Sequence, residues 1–254
     1  MNQTTFIKNM RTKNILPGII LFFGASSAPV YALDEIYSPN VEYRELSLEY
    51  AGSHTFDAQS DKNAAIDHAL VVEAGIAPRW MIAGSTGFSK DPDSNIKFSD
   101  LELETRYQFV ESGEYWLDAG LLVAYGFATQ SQQPDSIEVK LLLQKDVGKY
   151  TTTANIGFSQ DLGTYSASGG ADYVALVNTH YRYSEYFQPG LEIQSDFGQS
   201  STFGHYNQQE HYIGPTAYGR LFGKLKYQVG YLFGVSDAAA QSAARLKLEY
   251  EIHF

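Results

Sequence analysis

The side chains with which this chain could do chemistry fall on one parity of a series of roughly ten-residue segments. Acids dominate them: Glu45, Glu49, Glu73, Asp100, Glu102, Glu104, Asp118, Glu138, Glu192, Asp196, Glu249 and Glu251, against Arg106, Lys140, Arg182, Lys226, Arg245 and Lys247. Alternate side chains of a strand face opposite ways, so each such row lines one face of a sheet. Enclosed by a closed sheet, an acidic row favours cations, which is the chemistry of a selective passage. Arg106, Lys140, Arg182 and Lys247 would then shape a constriction or pair with the acids. The same charges paired across strands would instead fill the interior as a salt-bridge network. Both arrangements are open at this point.

Other chemistries find less support. A nucleophilic site needs a serine, a base and an orienting group within hydrogen-bond reach. Ser53 and His54 are adjacent, in a stretch read as a loop, and neighbours in an extended chain point apart, so no catalytic residue and no enzyme activity is expected. There is no cysteine, which removes disulfides, thiolate metal sites and a lipoprotein anchor. His205, Glu210 and His211 could gather a metal ion, but their spacing matches no metal motif; no metal or cofactor is expected. His180 and His253 fall on the charged parity as hydrogen-bonding fillers. With 18 basic and 29 acidic residues, a nucleic-acid partner is disfavoured, because the phosphate backbone requires clustered Lys and Arg.

The elements that position the charged row are legible from the end of the chain. In 243–254, Ala244, Leu246, Leu248, Tyr250, Ile252 and Phe254 alternate with Arg245, Lys247, Glu249, Glu251 and His253. An apolar row backed by charges, ending on an aromatic, resembles the terminal strand of bacterial outer-membrane barrels, and Tyr250, Ile252 and Phe254 are the expected assembly signal. The pattern recurs over 41–51, 66–76, 80–88, 98–109, 115–127, 136–145, 150–159, 171–183, 187–197, 211–221 and 225–235. Residues 36–40 read as a short extended lead. Twelve strands of about ten residues fit a tilted crossing of the hydrocarbon layer. The connections alternate short and long, as periplasmic turns and extracellular loops do. Aromatics gather near the strand ends, as interfacial girdles require.

The sequence thus predicts an all-β, transmembrane, antiparallel β-barrel of about twelve strands in the bacterial outer membrane. Closure follows because lipid cannot satisfy a free strand edge. The alternative, a periplasmic sandwich or lipocalin-like barrel, would turn the apolar row inward.

At the N-terminus, Lys8, Arg11 and Lys13 precede the uncharged stretch 15–30, whose apolar heart is too short to span a membrane as a helix. Val30-Tyr31-Ala32 has the small-x-small pattern of a signal peptidase site. Cleavage after Ala32 is expected, leaving 33–254 as one barrel domain; an uncleaved inner-membrane anchor is the alternative.

Several stretches carry a family resemblance: DEIYSPNVEYRELSLEY (34–50), LELETRYQFVESGEYWLD (101–118), LLLQKDVGKYTTTANIG (141–157), FQPGLE (187–192), Ile213-Gly214-Pro215 and KLKYQVGYLFGVS (224–236). The chain resembles the outer-membrane transporter family labelled after the MetA pathway of phenol degradation. That resemblance implies an outer-membrane barrel and transport; it transfers no ligand residues and no substrate. The expected partners are outer-membrane lipid, the barrel-assembly machinery acting on the C-terminal strand, and a small molecule or ion as solute. A structural or adhesive barrel acting through its loops is the competing expectation.

Overall fold

The computed structural model describes residues 33–92, 94–167 and 169–254; the expected leader and its cleavage site at Ala32 lie outside the described residues. Twelve strands form the fold: β1 (Glu45–Phe56), β2 (Ile66–Ala77), β3 (Trp80–Lys90), β4 (Lys97–Gln108), β5 (Asp118–Phe127), β6 (Asp135–Val147), β7 (Tyr150–Leu162), β8 (Asp172–Tyr181), β9 (Gln188–Gln199), β10 (Glu210–Leu221), β11 (Leu225–Gly234) and β12 (Ser242–His253). Each pairs antiparallel with its neighbours in sequence, and β1 pairs with β12 from Glu45 opposite His253 to Phe56 opposite Ser242. This seam closes the barrel. The Phe254 N–H extends it by donating to the Arg44 carbonyl at 3.0 Å.

The apolar row faces outward. Leu70, Val72, Ile82, Leu103, Ile156 and Leu191 stand about half exposed on the outer wall, where a soluble sandwich would bury them. Bordering this belt on the side of the short turns are Trp80, Tyr107, Tyr150 and Phe187; on the side of the long loops are Phe88, Phe98, Phe158 and Tyr173, all exposed. Trp80 packs edge-on against Tyr107 across β3 and β4, and Phe88 against Phe98. Such a belt with two aromatic girdles is the outer surface of a membrane-spanning barrel. The side carrying the short turns and the seam's ends is therefore periplasmic, and the long loops are extracellular.

Several expected boundaries move. β1 begins at Glu45, not at 41, because Arg44 takes a left-handed backbone (φ 66°) and turns the chain before the strand starts. β5 begins at Asp118, since 115–117 form an exposed turn containing Trp116. β8 ends at Tyr181, which leaves Arg182 in the periplasmic turn. β1 also runs through Ser53 and His54, which were expected in a loop. The larger departure concerns the lead at 36–40, which lies neither outside the barrel nor in the sheet: residues 33–42 run through the lumen.

Candidate functional site

The lumen-facing row holds this segment by its backbone as well as its side chains. Asn155 on β7 accepts from the Tyr37 N–H at 2.7 Å and donates to the Tyr37 carbonyl at 2.9 Å. Gln194 on β9 repeats the arrangement with Asp34, at 2.9 Å in both directions. Gln108 on β4 accepts from the Val41 N–H at 3.0 Å, and Arg106 donates to the Ser38 carbonyl at 3.2 Å. An extended chain in a lumen has no strand partner, so its peptide groups need such substitutes. The wall is also hollowed for it. A Cβ at Gly120 would come within 3.1 Å of Pro39, and one at Gly75 would overlap the Glu42 carbonyl.

Basic side chains clamp the segment to the wall. Lys140 lies 3.0 Å from both Asp34 and Glu138. Lys247 pairs with Glu35 and, at 2.6 Å, with Glu49. Arg245 joins Glu192 at 2.6 Å and donates to the Asp34 carbonyl at 3.1 Å. Arg106 pairs with Glu73 at 3.2 Å and Glu104 at 3.8 Å. Lys226 meets Glu249 at 3.2 Å. Tyr37 sits between the Arg106 and Lys140 cations, 5.1 and 5.4 Å from its ring centre. Buried charge is costly unless paired, and here the pairs include the incoming chain.

Most residues expected along a solute pathway do face the lumen: Glu45, Glu49, Glu73, Glu102, Glu104, Arg106, Glu138, Lys140, Glu192, Lys247 and Glu249. Two serve the periplasmic rim instead. Asp118 accepts from Ser112 Oγ and the Gly113 N–H, and Arg182 pairs with Asp146 at 2.8 Å. Tyr250, Ile252 and Phe254 project outward from the seam's end, exposed.

Sequence reasoning missed the segment itself and the apolar floor beneath it. Leu122, Leu142, Leu176 and Leu232 carry the inward parity and are fully buried. Tyr37 packs on Leu122, Ala124 and Leu142, while Leu33 packs with Tyr212, Leu232 and Ala243. Leucines on a lumen row were the available signal: in an open, wet pore they would be exposed, so they call for an apolar partner.

The Ser53 and His54 side chains do not meet. Ser53 turns to Asp67 at 3.4 Å, whereas His54 packs against Phe56, so the adjacent pair points apart as expected. His211 stacks on Tyr206 and contacts Ser195 at 2.9 Å, and His205 begins a short 3-10 turn. The donor atoms that do converge among the described residues are those of Glu42, Glu45 and His253, and of Glu45, Glu249 and Glu251. The first trio sits at the periplasmic mouth, where the segment leaves the lumen, and offers an imidazole with two carboxylates, a donor set able to hold a divalent metal ion. Burial, the largest single effect, pushes the Glu42 carboxyl up, but hydrogen bonds with His253 and Glu45 and the charges of Lys226 and His253 together outweigh it and hold the group below its ordinary value.

Cavities flank the segment on both sides. One of about 340 Å³ opens on the periplasmic side, between residues such as Ser47, Glu73 and Gln228. Another, of about 420 Å³, lies on the extracellular side above Leu33 and Asp34.

Barrel, belt and inward polar row define the class: a bacterial outer-membrane β-barrel of the porin and channel fold. Among solved structures, an outer membrane channel from Pseudomonas putida F1 aligns with a TM-score of 0.61 at 12% identity, covering 87% of this chain and 100% of that one. The KdgM porin in complex with disordered oligogalacturonate aligns at 0.57 and 10% identity, covering 82% and 99%. The NanC porin aligns at 0.56 and 10% identity, with the same coverage. At these identities the likeness is one of fold. No family model and no curated relative matches the chain.

Proposed function

We propose that the protein is an outer-membrane channel for a small cationic solute, and that residues 33–42 obstruct its path until they are displaced. The observation that carries this reading is the mode of docking. The segment is held by side chains of the lumen wall, through contacts that can be undone without breaking the sheet. The barrel is then a frame of fixed strands around one removable part. Fold likeness to porins supports passage as the use of that frame.

Charge supports the cation preference. The lumen basics are spent on the ion pairs described above, whereas the extracellular cavity is lined by Asp100, Glu102, Asp172, Asp196 and Glu210. Carboxylates at the mouth of a low-dielectric passage concentrate cations and repel anions. An acidic oligosaccharide such as the oligogalacturonate in the KdgM complex would meet repulsion here.

The test is recording from the refolded protein in a planar bilayer under a salt gradient, with and without residues 33–40. The expected result is a low conductance that rises when the segment is removed, with a reversal potential directed by cations. An anion-directed potential would overturn the charge reading. The tight docking also favours a second reading, a non-conducting barrel that acts through its extracellular loops; silence from both proteins would select it.

A further inference from the structure

The upper end of the lumen segment lies directly beneath two opposed carboxylates. Gln194 on β9 exchanges hydrogen bonds with the Asp34 backbone, and Tyr212 on β10 packs against the buried Leu33 side chain. Gln194 and Tyr212 are register partners, and the next inward pair toward the extracellular side is Asp196 opposite Glu210. Side chains two apart on a strand share a face, about 6.8 Å from each other. The segment climbs in the same direction: Val41 is held by Gln108 at the periplasmic end of β4, Asp34 by Gln194 in mid-strand. The Leu33 nitrogen therefore stands about one residue's rise, ~3.4 Å, beyond Asp34 toward the Asp196–Glu210 pair. Leu33, Asp196 and Glu210 line the same cavity.

The charge of that pair is unanswered by any side chain near it. Like charges directly opposite one another destabilise a strand pair. Around the rest of the segment each wall carboxylate meets a base: Glu73 meets Arg106, Glu138 meets Lys140, Glu49 meets Lys247 and Glu192 meets Arg245. Among the described residues Asp196 and Glu210 have no ion pair with Lys, Arg or His; one Asp196 oxygen accepts the Gly198 N–H at 2.7 Å. What the segment brings toward their level is the Leu33 nitrogen, neutral inside a peptide bond and cationic at a chain terminus.

We infer that hydrolysis of the Ala32–Leu33 bond creates the missing partner: water splits the peptide, leaving a carboxylate on Ala32 and an ammonium on Leu33, and that ammonium docks between Asp196 and Glu210. Processing then supplies the topmost ion pair holding 33–42 in the lumen. The inference rests on the proposed obstruction by this segment and on cleavage after Ala32, and it makes the seating of the segment depend on maturation. Asp100, Glu102 and Asp172 remain as the acids of the cavity.

Intact mass of the protein extracted from outer membranes comes first, and is expected to be that of 33–254; a chain beginning elsewhere would overturn the assignment. The folded, detergent-solubilised protein is then acetylated with an N-hydroxysuccinimide ester at about pH 7, where an α-amine reacts ahead of lysine. An ammonium paired with carboxylates gives up its proton less readily, so Asp196→Asn with Glu210→Gln should label at Leu33 at least about tenfold faster than the parent. Equal rates would overturn the contact, because burial alone slows both proteins alike. Nα-acetylation before refolding should speed proteolysis near Ser38 in the parent and leave the double variant unchanged. An equal effect in both would assign it to the bulk of the acetyl group and overturn the ion pair. Should the double variant fail to fold, Asp196→Asn and Glu210→Gln are read singly. Neither readout uses current. The expected labelling in a barrel that stays silent without residues 33–40 would refute the passage and sustain the contact. A current that rises on their removal, with labelling indifferent to Asp196 and Glu210, would do the reverse.

Discussion

Asn155 and Tyr37 exchange two hydrogen bonds, the Tyr37 N–H to Oδ1 at 2.7 Å and Nδ2 to the Tyr37 carbonyl at 2.9 Å. A side-chain amide thereby does for one residue what a neighbouring strand would do, inside a lumen where no strand is free. Asn155→Leu leaves both peptide groups without these partners, at about 1–3 kcal/mol for each group that stays buried. The expected outcome is a barrel with unchanged heat-modifiable mobility whose conductance rises toward that of the protein lacking residues 33–40. An unchanged current in Asn155→Leu would mean that the amide pairing does not hold the segment.

Lys140 ties Asp34 of the segment to Glu138 of the wall and is almost fully buried. Breaking a buried pair by removing one partner typically costs about 3–5 kcal/mol, because the remaining carboxylates lose their counter-charge. Lys140→Met should therefore release the segment more completely than Asn155→Leu. Limited proteolysis of the folded barrel checks this, through faster cleavage near Ser38 than in the parent protein.

Acid should loosen the periplasmic exit of the segment. The Glu42 carboxyl is held below 4.5 in the folded protein, so its contribution is complete above that value and is lost as pH falls through the lowered folded value. Cleavage by an acid-stable protease near Glu42 is expected to accelerate below pH 4.5. Glu42→Gln should flatten that acceleration; a variant with the parent's profile would assign the effect to other carboxylates.

On the lipid side, Leu103 projects from mid-strand on β4 and is half exposed. Leu103→Arg should destabilise the barrel by about 2–4 kcal/mol if it lies near the bilayer midplane. Refolding titration into lipid vesicles reads this, and Glu102→Gln, one residue away but facing inward, should cost far less.

The terminal residue offers a further comparison. Phe254 closes the seam through its bond to Arg44, whereas 200–208 form a loop with only a short 3-10 turn. Deleting Phe254 should lower the amount assembled in the outer membrane well below that of a protein lacking one residue of that loop. Equal membrane levels would remove the role assigned to the C-terminal aromatic.

What the sequence disclosed follows from which forces leave a periodic trace. Leu101, Leu103, Thr105 and Tyr107 alternate with Glu102, Glu104 and Arg106 because one face meets lipid and the other polar groups, and that contrast alone placed β4 to within a residue or so. Residues 33–44 meet no such contrast. Each of their groups answers to a different wall residue — Gln194, Asn155, Arg106, Gln108 — so no period forms, and 36–40 read as a plain lead while 41–44 read as the start of the first strand. Leu122 and Leu142 broke the polar row, but their meaning depends on a partner distant in sequence. The acids were legible as a row; their division into clamped pairs below and unpaired carboxylates above required the register.

The inward course of the first described residues also decides where the molecule can be labelled. Leu33 is buried at the floor of the extracellular cavity, so a folded tag fused just before it would have to sit in that cavity or drag the chain out of the lumen. A tag after Phe254 would hang from the seam on the periplasmic side. The loop at 200–208 escapes both conflicts, and an epitope inserted there should report surface display without altering the passage.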